Sequence, residues 1–486
     1  MSTAQNPGDY AGGHSVQHHQ IVDQISSRWP EHHPGPSLSR ISALCELLGA
    51  PQQSAPIIQI TGTNGKGSTA IMVDSLLRAL NLRTGRFTSP HLEDISERIC
   101  IDGLPIAPDR FDEMWHQIAP MVAMVDERQL DGIAMTFFEV MTAMAYAAFA
   151  DAPVDVMIME VGMGGRWDAT SVGDASVAVV GPVGLDHMQF LGDTIAEIAV
   201  EKAGIIKAGS TAVLAGQLPE AAEVLQERCV EVGAPMVREG IDFALLDHQP
   251  AVGGQLLRLQ TASGPLGDLF LPLHGVHMAH NAAVAVAAVE AFLGGKGLDP
   301  KVLEEGLAAV RAPARLETVH HEPNVVLDTC HNPQGARATM DALAEAFDMQ
   351  PLVGLVAIME DKQVEEVLRI FEPVMDSIVV TQVAGNPRAM PVDDLAHLAQ
   401  DIFGANRVSS AADVPTALKT AMDGAEAAGE QAGVLVAGSV WLAGQVREIL
   451  APDDTGTGGL MTSPGTGPLT LGVPDPGGAD QGLLDS

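Results

Sequence analysis

Short runs of β-branched and aliphatic residues recur along the chain, each followed by a longer segment rich in Ala and Leu. The runs IIQI (57–60), VDVMIME (154–160), SVAVV (176–180) and TAVLAG (211–216) are apolar at consecutive rather than alternate positions. A strand covered on both faces has that pattern, so these runs predict a parallel sheet with helical crossovers between its strands. After Arg311 the rhythm restarts with NVVLDT (324–329), PLVGLVAI (351–358), DSIVVTQ (376–382) and GVLVAGS (433–439), each again followed by a helical pattern. Two series predict two α/β units, and Arg311-Ala312-Pro313-Ala314-Arg315 between them reads as a hinge. Phe243 to Leu271 carries Gly-punctuated alternation, which predicts a small antiparallel addition to the first unit.

A length of 486 residues exceeds what one hydrophobic core ordinarily serves, in keeping with two domains. The boundaries read as a disordered tail over 1–35, a first domain over 36–310, a second over 311–450 and a disordered tail over 451–486. Both tails mix Gly, Pro and polar residues without periodicity. His18, His19, His32 and His33 lack partnered Cys or carboxylates, so they read as solvated tail and not as metal ligands. The longest apolar stretch, Ile133 to Ala150, is interrupted by Thr136, Glu139 and Thr142, which suits a buried helix and not a membrane span. With no basic start and apolar run at the N-terminus, the expected location is the cytoplasm. Cys45, Cys100, Cys229 and Cys330 are spaced neither as a zinc site nor as a disulfide framework, and read as small buried residues.

The net charge of −36 argues against a nucleic-acid partner, whose phosphates would be repelled. If the ligands are anions, the few cations must gather at the site, so a lysine inside a glycine-rich turn carries information. Ile57-Ile58-Gln59-Ile60-Thr61 runs into Gly62-Thr63-Asn64-Gly65-Lys66-Gly67-Ser68-Thr69, and the helical pattern AIMVDSLLRAL follows. Strand, turn and helix N-terminus together aim backbone N–H groups and a positive dipole end at phosphate oxygens, and Lys66 adds the matching charge. The turn differs from the standard P-loop in having only two residues between Gly62 and Gly65 and a Gly directly after the lysine. A purely structural turn would rarely combine strand, lysine, hydroxyls and helix.

This short variant resembles the phosphate loop of the ATP-dependent ligase superfamily that includes Mur ligases and folylpolyglutamate synthases. Further segments narrow the likeness: Thr88-Ser89-Pro90-His91-Leu92, Glu97-Arg98-Ile99, Phe138-Glu139, Glu160-Val161-Gly162-Met163-Gly164-Gly165-Arg166-Trp167-Asp168-Ala169-Thr170, Asp186-His187 and Glu201-Lys202-Ala203-Gly204-Ile205. His277, Asn281, Pro313-Ala314-Arg315 and Asp328-Thr329-Cys330-His331-Asn332-Pro333 follow. Their order, over residues 37–450, resembles the folylpolyglutamate synthase and dihydrofolate synthase family. The resemblance implies an N-terminal P-loop-type ATPase domain with a parallel-rich sheet and a smaller C-terminal Rossmann-like α/β domain. It also implies ATP-dependent addition of L-glutamate to dihydropteroate and reduced folates through an acyl phosphate, by a monomer without nucleic-acid or membrane partners. The hinge has Pro-Ala-Arg where Pro-Gly-Arg is common, Cys330 replaces a usual Ala or Gly, and Trp167 stands where Leu or Phe is frequent. None of these departures removes a charged group.

Phosphoryl transfer is mostly positioning and charge neutralisation, so it asks for a phosphate cradle, magnesium and basic side chains. By resemblance, Ser89, Glu160 and His187 hold magnesium, and Lys202, as a carbamate, serves a second ion. Asn281 reads as the start of a helix, AAVAVAAVEAF. By resemblance also, Asn281, Arg315 and Asp328 reach the nucleotide and His331 lies near the γ-phosphate, with Lys66, Lys202 and His331 as the catalytic set. Thr136, Phe137, Phe138 and Glu139 with Arg166, Trp167, Asp168 and Ala169 are the folate-side contacts it suggests. The residues themselves leave plainer readings open. Glu160 closes a strand and could be an N-cap or ion-pair partner; His187 could be a packed or capping histidine; and Lys202 alone would be a solvated helix residue. Asp328 and His331 could cap a strand-to-helix turn, and Trp167 could be core. Cys330 beside His331 is not read as a nucleophile, because adjacent residues at a strand end point apart.

Other activities fit less well. A Mur-type cell-wall precursor ligase would need a separate N-terminal nucleotide-sugar domain, and only about 60 residues precede the loop. A regulatory GTPase would need Asn-Lys-x-Asp, and no Asn here precedes Lys. Gly162-Met163-Gly164 lacks the third small residue of a dinucleotide fingerprint, since Trp167 stands there. Folylpolyglutamate synthesis without the dihydropteroate reaction is the nearest alternative.

Overall fold

The structure, a computed structural model, describes residues 16–28 and 37–450. The first unit is built on an eight-stranded sheet: β1 (Ile57–Thr61), β2 (Thr84–Phe87), β3 (Ile99–Ile101), β4 (Leu104–Pro105), β5 (Val156–Glu160), β6 (Ala175–Val180), β7 (Thr211–Leu214) and β8 (Met236–Arg238). Their order is β4-β3-β2-β5-β1-β6-β7-β8, parallel from β2 to β8, with β3 and β4 antiparallel at one edge. β1 and β5 are buried at every position. Ile58, Ile60 and Ile158 face the helices Lys66–Ala79 and Val276–Phe292, whereas Ile57, Met157 and Met159 face Pro108–Glu127 and Phe137–Asp151. Consecutive apolar residues in the sequence are therefore two cores seen alternately, each buried side chain contributing about 1.5–3 kcal/mol.

Strands β9 (Ala244–Ala251), β10 (Gly254–Thr261) and β11 (Gly264–Leu271) form an antiparallel sheet of their own. Leu257, Leu259, Leu269 and Leu271 bury against the helix Val276–Phe292, so this addition belongs to the first core, as the alternation suggested. The second sheet comprises β12 (Arg315–His321), β13 (Asn324–Asp328), β14 (Leu352–Val356), β15 (Ser377–Val380), β16 (Val408–Ser410) and β17 (Gly433–Ala437). Its order is β12-β13-β17-β14-β15-β16, parallel except for β12. The chain is thus α/β in both units, with parallel-rich sheets covered by helices.

Two expectations are corrected. The segment 1–35 is not without structure throughout: Val16–Ser26 is a helix whose Ile21 and Ile25 are buried in the core around Pro108–Glu127. His18 does not lie in solvent, because its Nδ1 is 2.7 Å from Asp112 Oδ1 and its ring meets Phe111 edge-on. Three buried positions in a polar segment give too weak a periodicity to register without the partner helix. His32, His33 and residues 451–486 lie outside the described residues. The second correction concerns Asn281, which sits inside the helix Val276–Phe292 and does not begin it; Gly275, at φ 91, precedes its first turn. All four cysteines are free and buried, and no described helix is long and apolar enough to cross a membrane.

Candidate active site

The end of β1 turns sharply into the helix Lys66–Ala79. Gly65 has φ 77, and a Cβ there would lie 2.7 Å from Asn281 Oδ1, so both the backbone conformation and the space exclude a side chain. Thr63 fixes the outer side of the turn: its N–H donates to Pro182 O at 3.0 Å, and its hydroxyl pairs with the backbone of Gly184. Lys66 Nζ donates to the carbonyls of Gly62 and Thr63 at 3.0 and 3.1 Å. Burial pulls its pKa down, against the opposing pull of Glu160 and Asp186.

Lys202 reaches the same carbonyl from another element. It stands in the last turn of the helix Ile195–Ala203, is 3% exposed, and its Nζ donates to Gly62 O at 2.9 Å. Burial first, and then Lys66, lower its pKa to about 7. Thr194 starts that helix with a capping box that includes Glu197, which sets the turn on which Lys202 lies.

Glu160 ends β5 beside β1, where Ile60 is its register partner. It is 3% exposed, its Oε2 accepts from the Ser89 N–H at 3.0 Å, and a Cβ on Gly67 would lie 3.4 Å from that oxygen. Burial raises its pKa, opposed chiefly by Lys66. A buried carboxylate held this way, beside the Ser89 backbone and the loop helix, fits a hard cation bound through oxygen and water. His187 has φ 51 and donates its own N–H to Asp186 Oδ1 at 2.8 Å. Burial and Lys362 lower its imidazole to about 3, so the ring is neutral at physiological pH and able to offer a nitrogen lone pair. Among the described residues, no group of three or more His, Cys, Asp or Glu converges as a metal cluster. The oxygen set of Glu160 and Ser89 suits one magnesium ion. Lys202 as an unmodified ammonium does not suit a second.

Asp186 joins the two units. Its Oδ1 is 2.8 Å from Lys362 Nζ, and its Oδ2 accepts from Asn332 Nδ2 at 3.2 Å and lies 4.0 Å from His331 Nε2. Lys362 and the two histidines together hold the carboxylate well below the usual range despite its burial. His331 bonds through Nδ1 to Thr329 O at 2.9 Å, and burial with Lys362 lowers it to about 4. Asn64, in the loop, exchanges bonds with Asn332 at 2.9 and 3.3 Å, and its Nδ2 also donates to Gln334 Oε1 at 3.0 Å. One concavity is thus lined by Thr61, Gly62, Thr63, Lys66, Gly162, Gly164, Asp186, His187 and Lys202. Lys362 was missed in the sequence. It follows the end of β14 by a few residues in a strongly acidic chain, and that placement was the available signal.

The other anticipated residues fall into different surroundings. Asn281 packs on Gly65, and Ser68 and Thr69 are buried at the start of the loop helix. Arg315 opens β12 and helps to hold down the Glu160 pKa. Asp328 is held by its own unit: Oδ1 accepts from Cys330 N and Thr339 Oγ1 at 2.8 Å each, and Oδ2 from Leu316 N at 3.2 Å. Burial pushes the neighbouring Cys330 thiol well up, leaving it unreactive.

Among the anticipated folate-side residues, Thr136 and Glu139 form the capping box of the helix Phe137–Asp151, and Arg40 Nε donates to Glu139 Oε2 at 3.1 Å. Phe137 lies under Arg98, and Phe138 is pressed against Gly162. Asp168 Oδ2 accepts from Gly162 N and Met163 N at 3.0 and 3.1 Å while Oδ1 accepts from Thr170, so it organises the loop after β5. Burial raises it to about 6. Ala169 is buried, Arg166 is exposed, and Trp167 is half-buried against the core that holds Leu191.

Comparison with known proteins adds an independent line. The chain matches the family models of the Mur ligase middle domain over residues 112–289 and of the Mur ligase glutamate ligase domain over 314–440. It is 47% identical over 458 residues to a dihydrofolate synthase/folylpolyglutamate synthase of Mycobacterium tuberculosis, covering 89% of this chain and 94% of that protein. It is 35% identical to a folylpolyglutamate synthase of Lacticaseibacillus casei, covering 72% and 82%. The Mycobacterium tuberculosis folylpolyglutamate synthase complexed with ADP superposes with a TM-score of 0.86 at 47% identity, covering 90% of this chain and 98% of that one.

Proposed function

The chain belongs to the folylpolyglutamate synthase and dihydrofolate synthase family of ATP-dependent Mur-type ligases, and from that membership we propose that it joins L-glutamate to dihydropteroate and to reduced folates. The observation that carries the site assignment is that Lys66 and Lys202 line one concavity beside the Gly62 turn together with Asp186, which Lys362 reaches from the second unit at 2.8 Å. In a chain of net charge −36, cations gathered from separate elements beside a strand-to-helix turn call for an anion.

In this reading the 62–69 loop cradles the ATP phosphates, Lys66 leaves its backbone carbonyls for them, and Asn281, Arg315 and Asp328 address the nucleotide. Glu160 and Ser89, with His187 nearby, would hold magnesium, which when bound neutralises phosphate charge. The acceptor carboxylate attacks the γ-phosphorus, the bond to the bridging oxygen breaks and ADP leaves, giving an acyl phosphate; the glutamate amine then attacks the acyl carbon, loses a proton and displaces inorganic phosphate to form the amide. His331 and Lys362 face this region from the second unit, so closure of the units excludes water from an intermediate that hydrolyses readily. The buried Lys202, neutral in a large fraction of molecules near pH 7, is in the state that a carbamate requires. The carbamate would supply the oxygen ligand that the unmodified ammonium lacks. Arg166 and Trp167, at the rim of the loop after β5, are the folate-side contacts best placed to meet a ligand. Thr136, Phe137, Phe138, Glu139, Asp168 and Ala169 would act by shaping the wall behind them.

The test is ADP release with L-glutamate and magnesium, comparing dihydropteroate, tetrahydrofolate and no acceptor, with products identified by mass. Glutamylation of both acceptors is expected. Stimulation by tetrahydrofolate alone would support the narrower reading, which the relative named for folylpolyglutamate synthesis favours. Stimulation by neither, in folded protein, would end the folate assignment.

A further inference from the structure

Arg447 lies on the helix Val440–Leu450, outside every motif of the sequence. Its Nη1 is 2.6 Å from Glu93 Oε1 in the first unit, and its Nε is 3.2 Å from each oxygen of Glu317 in the second. The three side chains are only 11%, 13% and 27% exposed. Each carboxylate is wired to one side of the proposed site. Glu93 lies in the same loop as Ser89, whose N–H donates to Glu160. That loop is stiff, because Glu97 accepts from the N–H groups of Leu92, Glu93 and Asp94 at 2.8–3.0 Å. Glu317 Oε2 accepts from Ala314 N at 2.7 Å, and Ala314, at φ 52, immediately precedes Arg315.

The same face of the helix seats the loop at two more positions. His91 meets the Trp441 ring edge-on at 5.3 Å, and a Cβ on Gly444 would lie only 2.0 Å from Leu92 O. Trp441, Gly444 and Arg447 are spaced by three, so they form one stripe against the loop. The planar guanidinium fork can satisfy two carboxylates in fixed directions, which a lysine cannot do. Without it, Glu93 and Glu317 would face each other as uncompensated like charges and would separate.

We propose that Arg447 is a positioning residue that couples the magnesium-side loop Ser89–Glu93 to the nucleotide-side segment Ala314–Glu317. The last helix of the second unit then sets Glu160 and Arg315 together. This rests on the ATP and magnesium reading above, but not on the folate.

The test uses Arg447→Met, Glu93→Gln and Glu317→Gln in the full chain. Binding of a non-hydrolysable ATP analogue is measured by calorimetry across a magnesium series, alongside thermal midpoints. Glu317→Gln is expected to raise the nucleotide Kd about fivefold with an unchanged magnesium dependence, and Glu93→Gln to raise the magnesium needed for half-saturation by a similar factor. Arg447→Met is expected to do both, and adding either Gln to it should cost nothing further. Folded Arg447→Met with unaltered nucleotide and magnesium dependence, effects that simply add, or changes confined to the thermal midpoint would each overturn the proposal. Should Arg447→Met not fold, the division between the two Gln variants decides: distinct nucleotide and magnesium effects support it, and identical or absent effects refute it. No folate enters this measurement, so a wild-type chain that binds nucleotide as described but fails to glutamylate folates would defeat the proposed substrate and leave the coupling standing.

Discussion

Lys66 and Lys202 both donate to Gly62 O, two ammonium groups on one carbonyl, and both have pKa values lowered by burial. Neither lysine is placed for stability, since buried cations without a carboxylate in contact are costly. Lys202→Ala is expected to keep the fold and lose at least about a hundredfold in turnover, with partial recovery on adding small carboxylates if a carbamate oxygen is what is missing. Steady-state rates with and without acetate check this, and an active variant would remove Lys202 from the mechanism. Asp168 is the opposite case, a carboxylate held for structure. Its folded pKa of about 6 lies above the ordinary value of 3.8, so the folded chain binds the extra proton between those values. Stability from this group therefore falls as pH rises from about 4 to 6 and is unaffected above that. Asp168→Asn is expected to be less stable at every pH, through lost N–H partners, but to show a flatter profile over pH 4–6 in urea unfolding. An unchanged slope would contradict the assignment. The lysine in the glycine-rich turn and the strand-end Glu160 were legible in the sequence because local pattern fixes where they sit. Lys362 was not, because nothing in its own segment says that Asp186 will stand 2.8 Å away.

Elements explain why the loop is so tightly specified. Strand β1, the turn and the helix Lys66–Ala79 are local, but the space above Gly65 is closed by Asn281 from a helix far along the chain. Gly65→Ala faces about 1–2 kcal/mol of left-handed backbone cost, and the clash with Asn281 adds to it. The expected result is a lower thermal midpoint and nucleotide affinity reduced more than tenfold, read by calorimetry. A variant that binds nucleotide normally would mean the loop can take another conformation. The strand runs were readable because burial on both faces leaves continuous apolar stretches. The helix Val16–Ser26 and the true start of the helix Val276–Phe292 were not readable, since polar residues fill positions whose partners lie on other elements.

Across the whole molecule, the units meet where Asn64, Asp186, Asn332 and Lys362 converge, beside the Gly62 turn. Removing one partner of a buried ion pair leaves the other charge uncompensated, typically at about 3–5 kcal/mol. Lys362→Met is therefore expected to loosen the second unit on the first. The loss should be larger in kcat than in nucleotide affinity, with increased protease cleavage between the units. Wild-type kcat would show that Asp186 finds neutralisation elsewhere. The sequence by itself determined the α/β class, the strand series, the phosphate loop and the family resemblance, because these depend on local periodicity and on motifs contiguous in the chain. The tertiary structure alone decided that Lys66 and Lys202 share one carbonyl and that Asp168 and Glu139 serve the loop and helix they sit in. It alone decided, too, that Lys362 and Arg447 bridge the units, because hydrogen-bond partners and burial are set by distances between elements that no local segment encodes.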